Sequence, residues 1–306
     1  MAAPVPNRPV RDRRLSRIVN VGLPYLWLGL FFLLPLGIVL RISLAEPALA
    51  QPPYTALWEW LESGMVTIQL NFGNFMLVWA DDLYLVAFLN SLRVALVCTL
   101  LCLLLGYPMA YAIATAPERW RLLLLMLIVL PFWTSFLIRV YAWIGILKAN
   151  GFLNNFLLWL GVIDEPLAIL HTQVAVYIGV VYSYLPFMIL PLYANLTRLD
   201  RSLLEAAADL GCRPWRAFLR VTLPLSRAGI IAGSMLVFIP VVGEFVIPDL
   251  LGGPRTLMVG GMLWTEFFSN KDWPLAAALA MVLLGLLVVP FVLMQRWQQR
   301  AEARGS

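Results

Sequence analysis

Six apolar runs, at about 21–42, 84–114, 121–147, 170–195, 227–250 and 274–295, set the terms on which this chain folds. A bilayer core takes roughly 20 apolar residues per helix. Lipid offers no partner to an open backbone, so runs of this length are read as transmembrane helices. The chain is 61% hydrophobic and 13% charged, whereas soluble domains are roughly half apolar and a quarter charged. The expected fold is therefore an all-α integral membrane protein. A packed water-soluble core is excluded.

Residues 1–20 form a basic arm carrying Arg8, Arg11, Arg13, Arg14 and Arg17. A secretory signal is the alternative for this end of the chain. The run from Val21 to about Leu40 is span-length, however, and Ala45-Glu46-Pro47 is a poor cleavage site, so it is read as the first transmembrane helix. Pro24 and Pro35 predict a bend in it. Residues 44–83 are the longest non-spanning stretch, with Trp58, Trp60 and Trp79 placed as interfacial anchors. Glu46, Glu59, Glu62, Asp81 and Asp82 meet no Lys or Arg there. The 84–114 run is longer than a bilayer needs, which predicts a surface helix at its start. Residues 148–169 are too short and interrupted to span, and read as an amphipathic helix at the outer surface.

Charge sets the orientation. With the N-terminus inside, its five Arg join Arg119, Arg121, Arg198, Arg201, Arg213, Arg216, Arg220, Arg227, Arg296, Arg300 and Arg304. The outer loops keep Lys148, Arg255 and Lys271. Sixteen against three satisfies the positive-inside rule with both termini cytoplasmic, including a tail at 301–306. The same bias accounts for the pI of about 9.3, so nucleic acid is not needed to explain it.

One polar interruption, Leu203–Pro224, falls on the inner side, within a loop at 198–226. Ser202 and Glu205 have capping-box spacing, and Leu203, Leu204, Ala207 and Leu210 share a helical face. Gly211 suits the left-handed position that ends such a helix, and Pro214 opens the next. A capped amphipathic surface helix explains these features singly but not the whole string.

The string Glu205-Ala206-Ala207, three residues, Gly211, nine residues, Val221-Thr222-Leu223-Pro224 resembles the EAA loop of ABC importer permeases. That family writes it EAA-x3-G-x9-I-x-L-P, and Val221 for Ile is the one departure. LPYLWLGLFFLLPLGIVLRISLAE, FIPVVGEFVIPDLLGG and EFFSNKDWPLAAALA are similar to the polyamine (putrescine/spermidine) subfamily. So is the stretch from PFWTSFLIRVYAWIGILK to LAILHT. Within that subfamily the chain is most similar to permeases for putrescine uptake, over nearly all of residues 20–300.

The resemblance implies a single six-helix type I importer permease domain over 21–300. It also implies a coupling helix seated in a cleft of a cytoplasmic ATPase, with Glu205, Ala206, Ala207, Gly211, Leu223 and Pro224 transmitting motion. The implied partners are a homologous sister permease, two ABC ATPases and a periplasmic polyamine-binding protein. The implied location is the bacterial cytoplasmic (inner) membrane. No GxxxxGK[ST] sequence occurs, so ATP and Mg belong to the partner ATPase and no cofactor is expected in this chain. No Ser/His/Asp or Cys/His catalytic grouping is found, which leaves an intramembrane enzyme without a nucleophile–base pair. Cys98 and Cys102, spaced i, i+4, read as packing residues, and His171 stands alone, so no metal site is expected.

A route for an organic dication needs carboxylates and aromatic faces. A mid-membrane carboxylate costs about 2.5–3.5 kcal/mol on insertion scales, so it faces a cavity or a partner. Glu244 is the leading candidate, between Pro240, Gly243 and Pro248, which are placed to break the helix. Its other reading is an ion pair with Arg139 or Arg93 inside the bundle. Asp249 and Glu266 are placed nearer the outer mouth, either on the path or as solvated loop acids. Tyr141, Trp143, Tyr182, Tyr184 and Trp264 offer rings to a cation, and each also serves as ordinary packing or an interfacial anchor. Two rival functions stay open: an importer for another small substrate such as thiamine, iron or an opine, and an ATP-independent transporter or channel.

Overall fold

The computed structural model describes residues 13–60, 66–200, 202–254 and 256–305. Residues 1–12 of the basic arm, Glu62, Arg201, Arg255 and Ser306 lie outside the described residues. Helix α1 (Arg13–Leu28) passes through a π-helical turn, Gly29–Leu33, into α2 (Leu34–Ser43). Pro35 has no N–H for the carbonyl four residues earlier, and the ladder widens at that point. A two-stranded antiparallel ribbon follows, β1 (Trp58–Trp60) with β2 (Val66–Ile68), pairing Trp58 with Ile68. These are the only strands among the described residues of an otherwise helical chain.

Helix α3 (Gly73–Ala80) precedes α4 (Asp82–Thr115), whose first turn is capped by Asp81 Oδ1 accepting from Leu83 N at 2.8 Å. The surface helix expected at the start of the 84–114 run is absent from it. That run is one unbroken helix, because the stop and restart signal lies at Asp81, ahead of it. Then come α5 (Glu118–Val129), a 3-10 turn Leu130–Trp133, and α6 (Phe136–Leu147). The stretch read as one span over 121–147 is thus interrupted where Pro131 withdraws an N–H and Thr134 turns extended. Helix α7 (Phe152–Trp159) occupies part of the segment expected at the surface. Buried Asn154 pins that segment by bonding both the N–H and the carbonyl of Leu167, each at 2.9 Å.

Helix α8 (Gln173–Leu196) leads to α9 (Ser202–Asp209) and α10 (Pro214–Ala217). A π turn, Phe218–Thr222, joins α10 to α11 (Leu223–Leu225), and α12 (Arg227–Val242) follows. The chain closes with α13 (Val246–Leu251), α14 (Val259–Trp264), a π turn Thr265–Ser269, and α15 (Trp273–Gly305). Among the described residues four helical stretches are long and apolar enough to cross a membrane: Asn20–Ser43, Asp82–Thr115, Phe136–Trp159 and Gln173–Leu196. Pro214–Leu225 with Arg227–Val242, bent by 65°, makes a fifth if counted as one span, and Trp273–Val289 is a shorter apolar helix.

The chain divides into two compact units, residues 1–78 with 270–306, and residues 79–269. In the first, α2 packs along α15, and buried Asn74 donates to Ser43 O (3.0 Å) and Ala45 O (2.9 Å). Arg41 lies over the Trp58 ring at 4.3 Å.

In the second unit α4, α8 and α12 pack on one another around Ala95, Cys98, Val176, Met188 and Val237, all fully buried. Water-driven burial does not hold helices together in lipid, so close backbone approach must. Gly229 and Gly233, four apart on α12, supply it: a Cβ would lie 2.8 Å from Asn195 Cβ and from Met188 Sδ respectively. A Cβ on Gly106 of α4 would lie 3.1 Å from Met188 Cγ.

Candidate functional site

Helix α12 ends at Val242, and three residues, Gly243, Glu244 and Phe245, separate it from α13. Glu244 is 8% exposed. Its Oε2 accepts a hydrogen bond from Tyr184 Oη at 2.6 Å. Its Oε1 accepts from Val246 N at 3.0 Å and from Ile247 N at 3.4 Å, so the carboxylate caps the short helix that follows. Three donors on a buried anion replace the water it has lost. Among the described residues no ion pair joins Glu244 to Arg139 or Arg93. Arg139 lies instead over the Phe132 ring, at 5.1 Å, and Arg93 is exposed. The ion-pair reading is replaced by a hydrogen-bonded carboxylate.

The break is walled by glycine contacts. A Cβ on Gly260 would collide with Gly243 O and sit 3.0 Å from Glu244 O, so α14 presses its backbone onto the broken turn. Gly179 of α8 gives α13 the same room, since a Cβ there would lie 2.9 Å from Ile247 Cγ2. Gly260→Ala therefore forces overpacking against backbone, at a cost of about 1–3 kcal/mol. The expected result is a lower melting temperature of the detergent-solubilised protein, measured by thermal unfolding. An unchanged value would mean that α14 is free to move away.

Aromatic rings gather beside the break. Phe245 stacks on Trp264 (4.8 Å, 15°), and Trp264 contacts Phe268 at 4.1 Å. Tyr184 lies 6.0 Å from Phe187. Trp143 and Tyr182 form their own edge-to-face pair across α6 and α8, at 5.3 Å, while Tyr141 is exposed outside these pairs. Asp249 is exposed and shares a cleft of about 370 Å³ with His171, Phe245, Thr256 and Met258. His171 Nδ1 lies 3.2 Å from Gly252 O. Glu266 is not a solvated loop acid: it is 6% exposed and accepts from Tyr84 Oη at 3.0 Å.

Glu244, Tyr184 and, through Phe245, Trp264 thus come together at one helix break. Sequence reasoning missed Phe245, Tyr84 and Gly260. The pair Gly260-Gly261 inside a short apolar helix was a usable signal of close backbone approach.

On the other polar segment, α9 ends in a full Schellman closure. Gly211, at φ +73°, donates to Ala208 O at 2.8 Å, and Cys212 N donates to Ala207 O at 2.9 Å. The start of α9 differs from the expected capping box. Asp200 Oδ1 accepts from Ser202 N at 3.0 Å, which holds that carboxyl below its usual range, and Glu205 is exposed in the first turn. Asp two residues before a helical N–H makes a local turn that competes with a serine cap. Leu210 is 87% exposed, and Leu203, Trp215 and Leu219 are exposed beside Arg213, Arg216 and Arg220. Leu204 and Thr222 face a cleft of about 230 Å³ with Tyr111 and Arg121.

Residues 103–302 match the model of the family described as binding-protein-dependent transport system inner membrane component. The chain belongs to that family, whose members are ABC importer permeases. It is 46% identical over 218 residues to the spermidine/putrescine transport system permease protein PotB of Salmonella typhimurium strain LT2. That alignment covers 71% of this chain and 75% of the relative. PotB of Haemophilus influenzae is 40% identical over 273 residues, covering 88% and 91% of the two chains. A bacterial ABC transporter for the import of alginate superposes with a TM-score of 0.63 at 18% identity, over 94% of this chain and 99% of that one. The alginate transporter with its pentasaccharide-bound periplasmic protein gives 0.66 at 18% identity, over 96% and 98%. The fold is that of a type I ABC importer permease.

Proposed function

We propose that this chain is the transmembrane subunit of an ATP-driven importer that carries polyamines, putrescine or spermidine, from periplasm to cytoplasm. The observation that carries the reading is a buried carboxylate at a helix break, Glu244, in a chain 46% identical to a spermidine/putrescine permease. A broken helix presents free backbone groups and a charge where a substrate passes. An organic polycation matches a carboxylate bonded by Tyr184, with the stacked Phe245 and Trp264 rings next in line. Asp249, Glu266, Tyr141, Trp143 and Tyr182 complete the proposed path.

The chain works in the cytoplasmic (inner) membrane with both termini cytoplasmic, paired with a homologous sister permease. Two cytoplasmic ABC ATPases bind ATP and Mg and hydrolyse the nucleotide, and a periplasmic polyamine-binding protein delivers the substrate. Glu205, Ala206, Ala207, Gly211, Leu223 and Pro224 belong to the segment that the ATPases move. Closure of the ATPase dimer shifts Leu203–Pro224 and turns the pore from inward-open to outward-open. The binding protein then releases its polyamine toward Glu244. Hydrolysis resets the pore.

The test is growth on polyamine of a bacterial strain that lacks its own polyamine uptake, carrying the chain with its partner subunits. Growth that depends on all four components is expected. Growth without the ATPase would support a secondary transporter, and no growth would remove the polyamine assignment.

A further inference from the structure

The 65° bend between Pro214–Leu225 and Arg227–Val242 lies where the coupling segment joins the membrane helix, and one buried hydroxyl sits in it. Ser226 is fully buried at the corner, with φ −86° and ψ 4°. Its Oγ donates to Leu223 O at 3.0 Å. Ser226 Oγ also lies 2.8 Å from Tyr107 Oη, 119 residues away in sequence. Because the serine proton goes to Leu223, the tyrosine O–H is the donor in that second bond. The result is a relay from Tyr107 through Ser226 to the carbonyl of Leu223.

Tyr107 also packs edge-on to Phe218 at 5.5 Å, and Tyr111, one turn on, meets the same ring at 6.1 Å. Phe218 opens the π turn and Leu223 begins α11, so both ends of the limb beside the bend are fastened to one stretch of α4. Helix α4 in turn packs on α8 and α12, and α8 carries Tyr184 to Glu244.

A bend at proline is ordinarily loose, because Pro224 cannot donate to the carbonyl four residues earlier. A loose corner absorbs motion. Here the carbonyl of Leu223, next to Pro224, is held by the Ser226 side chain, itself held by α4, and a corner fastened in this way passes motion on.

We propose that Tyr107 and Ser226 are positioning residues that latch this bend, so that displacement of the coupling loop reaches α4 and the Glu244 break as the motion of one rigid lever. The inference rests on the importer reading above. Both act through the backbone they hold.

The test uses the assembled complex with Cys212→Ser and spin labels on cysteines introduced at Leu219 and Leu236, both half-exposed and on either side of the bend. Double electron–electron resonance distances are recorded in the apo state and in the ATP/vanadate-trapped state. The latch predicts one narrow distance in both states for the parent protein. It predicts a broadened distribution for Tyr107→Phe, which removes one oxygen and keeps the ring on Phe218.

In parallel, putrescine transported per ATP hydrolysed is expected to fall about fivefold in Tyr107→Phe, in line with loss of one net buried hydrogen bond. Ser226→Ala should match it, and Ser226→Thr, which keeps the hydroxyl, should restore most of the yield. Unchanged distances, or an unchanged yield per ATP, in Tyr107→Phe would overturn the latch. If the parent complex moves no polyamine, the substrate reading fails on its own and the distance distributions still decide the latch.

Discussion

Glu244→Gln lowers ATP-driven putrescine uptake by about tenfold or more while the subunit still inserts and assembles, if Glu244 is the counter-ion for the passing cation. Glutamine is the right probe because it keeps the shape and one carbonyl oxygen. That oxygen can still accept from Val246 N and Ile247 N, so the cap on α13 survives in the variant. What disappears is the negative charge. A hydrogen bond to a charged group contributes about 1.5–3 kcal/mol, against about 1 kcal/mol for a neutral one. Lost from a low-dielectric path, that difference falls on the step in which the dication passes the break. Uptake by Glu244→Gln is compared with the parent in proteoliposomes at equal subunit content. Near-normal uptake would return Glu244 to a purely structural cap.

Gly211→Val is expected to abolish uptake and leave the subunit in the membrane. The residue adopts φ +73°, and a Cβ there would meet nothing within 4 Å. Collision is therefore not the mechanism. The cost is conformational: left-handed backbone costs an L-residue about 1–2 kcal/mol, more with a β-branched side chain. Relief of that strain reopens the Schellman closure, so Ala207 O and Ala208 O lose their donors and α9 shifts against Pro214. Asparagine tolerates this conformation, so Gly211→Asn should retain most of the activity. The readouts are uptake and binding-protein-stimulated ATP hydrolysis, with membrane content measured by immunoblot. Full uptake by Gly211→Val would separate this turn from coupling.

Much of this was legible in the sequence for definite reasons. Span-length apolar runs dictate helices because lipid satisfies no backbone, and Gly211 announces a helix end because few residues enter its conformation cheaply. The helix break at Glu244 was readable from Gly243, which ends α12, whereas Pro240 and Pro248, also expected to break the chain there, lie inside α12 and α13. Three things were hidden. The partner of Glu244 is Tyr184, 60 residues away, and a charge-pair rule pointed to arginines instead. Arg139 found aromatic faces, an outcome that composition does not distinguish from a salt bridge. The cap of α9 came from Asp200 because two plausible caps lay two residues apart, and local turn geometry chose between them.

We propose a polyamine cargo for this permease and a separate ATPase as its source of energy. Uptake of labelled putrescine and spermidine into proteoliposomes containing the complete complex tests it most directly. Accumulation is expected to require both internal ATP and the binding protein, and to collapse when either is omitted. Accumulation that persists without ATP, or an intact complex that moves neither polyamine, would contradict it.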